Sequence, residues 1–159
     1  MPPQEFLDSL PVLVPQQEVL QPYIPTVVGN VDYREWKKTL ERMDEILRLA
    51  AADDVEITHA LVTHTHPDHV GSWLRGAHIE GVEELLAKTK AKVVVHKAEA
   101  EFLKSLSPSD IIKSESGDKI DVGGIGIQLI HTPGHTPGSQ CFLLGEIPPN
   151  QPGRLIAGD

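Results

Sequence analysis

Three histidines and an aspartate stand within six residues, His64-Thr65-His66-Pro67-Asp68-His69, directly after the short apolar run Thr58-His59-Ala60-Leu61-Val62-Thr63. Such a run reads as a buried parallel strand, so the polar cluster falls at a strand's C-terminal end. From this chain's own share of His and Asp, an H-x-H-x-D-H string arises by chance in about one such sequence per thousand, which sets aside a merely solvated loop. In an extended segment side-chain direction repeats every two residues, so His64 and His66 project the same way and one cation can be held by both. Asp68 and His69, as neighbours, are expected to diverge. That suits a second cation about 3.5 to 4 Å from the first.

Two further clusters sit at comparable places. In His131-Thr132-Pro133-Gly134-His135-Thr136-Pro137-Gly138-Ser139, the prolines and glycines turn the chain sharply and leave His135 as the projecting residue. Gly158-Asp159 follows the apolar stretch Arg154 to Ala157, again placing a carboxylate beyond a strand. Ligand sites of open α/β sheets lie outside the carboxyl ends of strands, so convergence of the three clusters is expected. His59, His78, His96 and His131 lack ligand spacing and read as strand-end or surface residues. Cys141 reads as a small buried hydrophobe in a strand. Trp36 falls on the apolar stripe of a helix and reads as core, whereas Trp73 fits either core or a substrate pocket.

Around these clusters helices and strands alternate, which makes the class α/β. A helix is expected from Asp32 to about Ala52, with Trp36, Leu40, Met43, Leu47 and Ala50 at helical spacing. Val82 to Lys90 reads as a helix, Lys92 to His96 as a strand and Lys97 to Leu106 as another helix. Lys119 to Val122 and Ile125 to Ile130 flank Gly123-Gly124 and read as a hairpin. Strands Ser139 to Leu144 and Arg154 to Ala157 follow, separated by a Pro- and Gly-rich loop. Residues 1–30 hold six of the 13 prolines and read as an irregular segment, leaving 31–159 as the domain.

Composition narrows the partners. The chain has 159 residues, enough for one core. Its 14 basic and 23 acidic residues leave a formal charge of -9, a field that repels a phosphate backbone or an anionic leaflet. No nucleic-acid or membrane partner is expected. The single cysteine excludes a disulfide within the chain and a Cys-rich zinc knuckle, so metal would have to be held by histidine and carboxylate. The start MPPQEFLDSLPVLVP carries acids and prolines where a secretory signal needs positive charge and an apolar run. The expected compartment is the cytoplasm.

The string His64, His66, Asp68 and His69 resembles the His-x-His-x-Asp-His motif of the metallo-β-lactamase superfamily. His135, within TPGHTPGS, matches the family's next histidine, and Asp159 matches its bridging aspartate by context. The resemblance runs from about residue 33 to the end. THTHPDH together with TPGHTPGS is most similar to the glyoxalase II-like (hydroxyacylglutathione hydrolase-like) thioesterases, although lactonases and persulfide dioxygenases carry similar strings. It implies an αββα sandwich of which mainly the N-terminal half is present, since nothing here matches the second half or the family's last metal-binding histidine. The chain is therefore expected to be truncated, and to expose an apolar face that favours association.

What the resemblance implies chemically is a zinc site, two ions in its complete form. His64, His66 and His135 would bind the first ion, Asp68 and His69 the second, and Asp159 would bridge. A metal-activated hydroxide, oriented by Asp68, would attack a small thioester or ester. A mononuclear iron persulfide dioxygenase, using His64, His135 and Asp159, is the alternative, as is a catalytically incomplete metal-binding fragment. A nuclease of the same motif is disfavoured by the charge and by the lack of a basic cluster.

Overall fold

The computed structural model describes residues 42–74, 76–145 and 154–159, which fall within one unit, Leu40–Asp159. The Pro-rich segment 1–30, Trp36 and the start of the helix expected from Asp32 lie outside the described residues, as do 146–153.

The valine run Lys92–His96 forms the central strand β4 of a parallel sheet in which β1 (His59–Leu61) and β5 (Ile111–Ser114) pair on either side. Val93, Val94 and Val95 are essentially inaccessible, as a parallel strand covered on both faces requires. Their alternation assigns the two faces. Val93 and Val95 pack with Val62, Val70, Val82, Ala100 and Leu103, whereas Val94 packs with Ile127, Leu129 and Phe142.

The first of those clusters belongs to a helical layer. Helix α1 (Met43–Ala52) buries Met43 against Leu85 and Ala91, and its Asp44 and Glu45 lie in the first turn, where they complement the helix dipole. Helix α2 is the single turn Pro67–Val70, and α3 covers Val82–Lys88. Between α2 and α3 lies a short hairpin, β2 (Ser72–Leu74) with β3 (Ala77–Ile79).

The second cluster fills the space between two sheets. β6 (Lys119–Val122), β7 (Ile125–His131), β8 (Gln140–Leu144) and β9 (Arg154–Ile156) form an antiparallel meander. Gly123 and Gly124 both have positive φ, 62° and 84°, the geometry that a two-residue hairpin turn of primed type demands. Helices, parallel sheet and antiparallel sheet thus stack in that order, an α/β architecture with its core on both faces of β4.

Most expected elements appear within a residue or two of their expected ends. The helix expected over Lys97–Leu106 is corrected: the chain turns at 97–99 and then forms only a 3-10 helix, Ala100–Leu103. The buried apolar residues there, Ala100, Leu103 and Leu106, recur every third position, which suits a 3-10 helix. Not foreseen were α2, the β2–β3 hairpin and β5. The last has only two apolar residues, Ile111 and Ile112, and owes its extended form to pairing with β4.

Candidate metal centre

The cluster is assembled where both sheets end. Beyond β1, the Val62 N–H donates to Val94 O at 2.9 Å, carrying the parallel ladder one residue further. The Gln140 N–H, at the start of β8, then donates to Thr63 O at 2.9 Å and ties the two sheets together one residue before His64. Gln140 is itself buried: its Nε2 donates to Val62 O at 2.8 Å and its Oε1 accepts from Ser114 Oγ at 2.9 Å. The β7–β8 loop therefore arrives beside the β1 exit and brings His135 with it.

His66 is the N-cap of α2 and Pro67 its first residue; proline's fixed φ suits that position and starts the turn there. The turn has a consequence for the ligands. Asp68 and His69 do not diverge as neighbours on an extended segment would, because His69 Nε2 lies 3.8 Å from Asp68 Oδ2. The His69 ring folds back to a centroid distance of 4.0 Å from His64. Helical geometry replaces the alternation expected of extended chain.

Four imidazoles and a carboxylate meet here. The His64 ring lies 4.8 Å from that of His66 and 4.7 Å from that of His135. His135 Nε2 is 2.9 Å from His66 Nδ1. Asp159 Oδ2 is 3.5 Å from His69 Nε2 and 3.8 Å from His135 Nε2, so it touches both sides of the group. Two sets place their ligand atoms within 4.8 Å of one another, His64 with His66 and His135, and His64 with His69 and Asp159. Asp68 joins neither set and stands at the exposed edge.

His64 is the hinge between the sets. It is 1% exposed, and Thr63 Oγ1 lies 3.3 Å from its Nδ1, while its Nε2 is buried without a hydrogen-bond partner. An orphaned buried nitrogen costs about 1 to 3 kcal/mol. Burial first, and then the neighbouring His69, His66 and His135, hold its pKa below the ordinary value against the pull of Asp159. A buried ring nitrogen without a partner, facing other imidazoles and a carboxylate, is an arrangement that suits a divalent transition metal. The residues present fit such an ion.

Sequence reading missed the groups beneath this cluster. Glu99 is buried at 1% exposure; burial pushes its pKa up, but hydrogen bonds from Thr136, Gly138 and Thr65 outweigh that and hold it below the usual carboxylate value. Nothing in the sequence singles out Glu99 or Gln140, and only their hydrogen bonds identify them. Of the histidines set aside, His59 opens β1, His96 and His131 close β4 and β7, and His78 lies in β3. His96 and His131 stack at 3.9 Å, away from the cluster's ligand sets. Cys141 is half-buried rather than buried. Trp73 is 68% exposed, its ring edge against His78.

A family profile described as the Metallo-beta-lactamase superfamily matches residues 26–146. A hydroxyacylglutathione hydrolase of Rhodopseudomonas palustris (strain BisB5) is 40% identical over 83 residues, 51% of this chain and 27% of that protein. The probable polyketide biosynthesis zinc-dependent hydrolase BaeB of Bacillus velezensis is 32% identical over 93 residues, 58% of this chain and 37% of that protein. Among solved structures, the crystal structure of ETHE1 from Myxococcus xanthus superposes with a TM-score of 0.51 at 30% identity, covering 66% of this chain and 40% of that one. The chain thus spans between 27% and 40% of the length of these three proteins.

Proposed function

The chain belongs to the metallo-beta-lactamase superfamily, and on that premise we propose that it is a metal-dependent hydrolase of a small thioester or related ester, with a dinuclear zinc centre. The observation that carries the reading is His64 Nε2, buried and unpartnered where two three-ligand sets share it. Support for zinc comes from the imidazole-rich donor set and from BaeB, whose name calls it zinc-dependent. Support for a thioester comes from the relative named hydroxyacylglutathione hydrolase.

In this reading His64, His66 and His135 would hold one ion, Asp68 and His69 would serve the second, and Asp159, close to both His69 and His135, would serve both. When bound, such ions supply Lewis acidity that polarises a carbonyl and brings the ionisation of water near neutral pH. Everything else falls to the chain. Thr63 holds the His64 ring by its Nδ1, so that Nε2 faces inward. Asp68, exposed at the mouth, orients the attacking water and takes its proton. No serine or cysteine nucleophile is required. The single cysteine of the sequence fits a reducing compartment, which supports a cytoplasmic protein.

The test is metal content per chain by plasma mass spectrometry, followed by an assay of acyl-glutathione hydrolysis at the thioester absorbance. About two zinc ions per chain with hydrolysis is the expected result. About one iron per chain with oxygen consumption would move the assignment to a persulfide dioxygenase, and a folded sample free of metal would leave only a non-catalytic fragment.

A further inference from the structure

We propose that Glu99 is a positioning residue for the metal centre, its carboxylate fixing both ligand-bearing segments of the first set. The inference rests on the metal-centre reading above. Oε2 of Glu99 accepts from the Thr65 N–H at 2.7 Å and from Thr65 Oγ1 at 2.9 Å. Oε1 accepts from the Gly138 N–H at 2.9 Å. Thr65 lies between His64 and His66, and Gly138 lies three residues after His135. One carboxylate therefore spans the two segments that must close on the same ion.

The Thr65 and Gly138 N–H groups, one on each Glu99 oxygen, can only donate, so an acceptor is needed at both oxygens. The fit is close as well as polar. A Cβ at position 138 would lie 2.6 Å from Glu99 Cγ, so the loop backbone rests directly on the stem of the side chain. Glu99 is in turn held by its own N–H, which donates to His96 O at 2.9 Å at the end of the buried strand β4. The ligand segments are thereby tied to the buried strand β4. With both oxygens engaged beneath the cluster, Glu99 acts through Thr65 and Gly138 rather than as a ligand.

The experiment compares wild type, Glu99→Gln, Thr65→Ala and Leu129→Ala. Zinc dissociation constants come from competition with a chromophoric chelator. The visible spectrum of the cobalt-loaded protein reports the geometry of the donors. Glu99→Gln turns an amide N–H toward Thr65 or Gly138 and is expected to weaken zinc binding by about 10- to 100-fold, the range for groups that orient ligands, and to alter the cobalt bands. Thr65→Ala, which keeps the backbone bond, is expected to do the same more weakly, and it decides the matter if Glu99→Gln fails to fold. Leu129→Ala opens a cavity between the sheets and is expected to lower stability while leaving both readouts at wild-type values. Wild-type affinity and cobalt spectrum in folded Glu99→Gln, or in Thr65→Ala should Glu99→Gln not fold, would overturn the proposal. So would an equal loss in Leu129→Ala. If wild type binds neither ion, the metal-centre reading itself fails and takes this inference with it.

Discussion

Gly158 lies against Thr63 so closely that a Cβ at position 158 would stand 2.8 Å from both Thr63 Cβ and Thr63 Oγ1, and 3.4 Å from His64 Nδ1. The backbone that carries Asp159 thus enters the cluster over the threonine that holds the His64 ring. Gly158→Ala must move one of them. We expect about tenfold weaker zinc binding with the fold retained, measured by chelator competition with circular dichroism as the control. An unchanged dissociation constant would show that Asp159 does not depend on this approach.

Replacing His64 separates stability from function. The buried Nε2 has no partner, so His64→Leu removes a desolvation cost of about 1 to 3 kcal/mol along with both ligand sets. The metal-free variant should unfold at the same or a higher urea concentration than metal-free wild type while losing tight metal binding. His66→Asn leaves the set of His64, His69 and Asp159 intact and should bind about one ion fewer. A clear fall in the stability of metal-free His64→Leu would sink the account of Nε2 as an unpaid group.

Between the sheets, Phe142 is 1% exposed and packs with Val94, Ile127 and Leu129. Phe142→Ala should cost about 3 to 5 kcal/mol. Phe102, 67% exposed, supplies the contrast: Phe102→Ala should stay within about 0.5 kcal/mol of wild type. Urea titration reads both, and comparable losses would contradict the layer assignment.

His96 makes stability depend on pH. Burial, and then the stacked His131 ring, lower its pKa from the ordinary 6.5 in the folded state. The unfolded chain therefore binds the proton more readily, and the stabilisation is full above 6.5 and is lost as pH falls through the folded value. Urea midpoints at about pH 7.5 and about pH 5.5 should differ more for wild type than for His96→Gln. Equal differences would remove His96 from the explanation.

The histidine-rich string was legible because it is local. His64, His66, Asp68 and His69 fall in one short segment, and Lys92–His96 announces a buried strand by its β-branched run. The same locality misled at two places. Asp68 and His69 were expected to diverge as extended neighbours, yet Pro67 starts a helical turn. Lys97–Leu106 reads as α-helical, yet the chain turns at 97–99 and forms only the 3-10 helix Ala100–Leu103.

The sequence by itself determined the α/β class, the histidine-rich string His64–His69 and the Gly123-Gly124 hairpin turn, each of which depends on residues within a few positions of one another. Only the tertiary structure decided that Glu99 lies beneath the histidine cluster, that Gln140 joins the two sheets, and that Asp159 meets both His69 and His135. The bonds of Glu99 and Gln140 link residues 34, 39 and 78 positions apart. No local propensity specifies a hydrogen bond of that range; it forms because packing β4 against both layers leaves a buried carboxylate and a buried amide that must find partners.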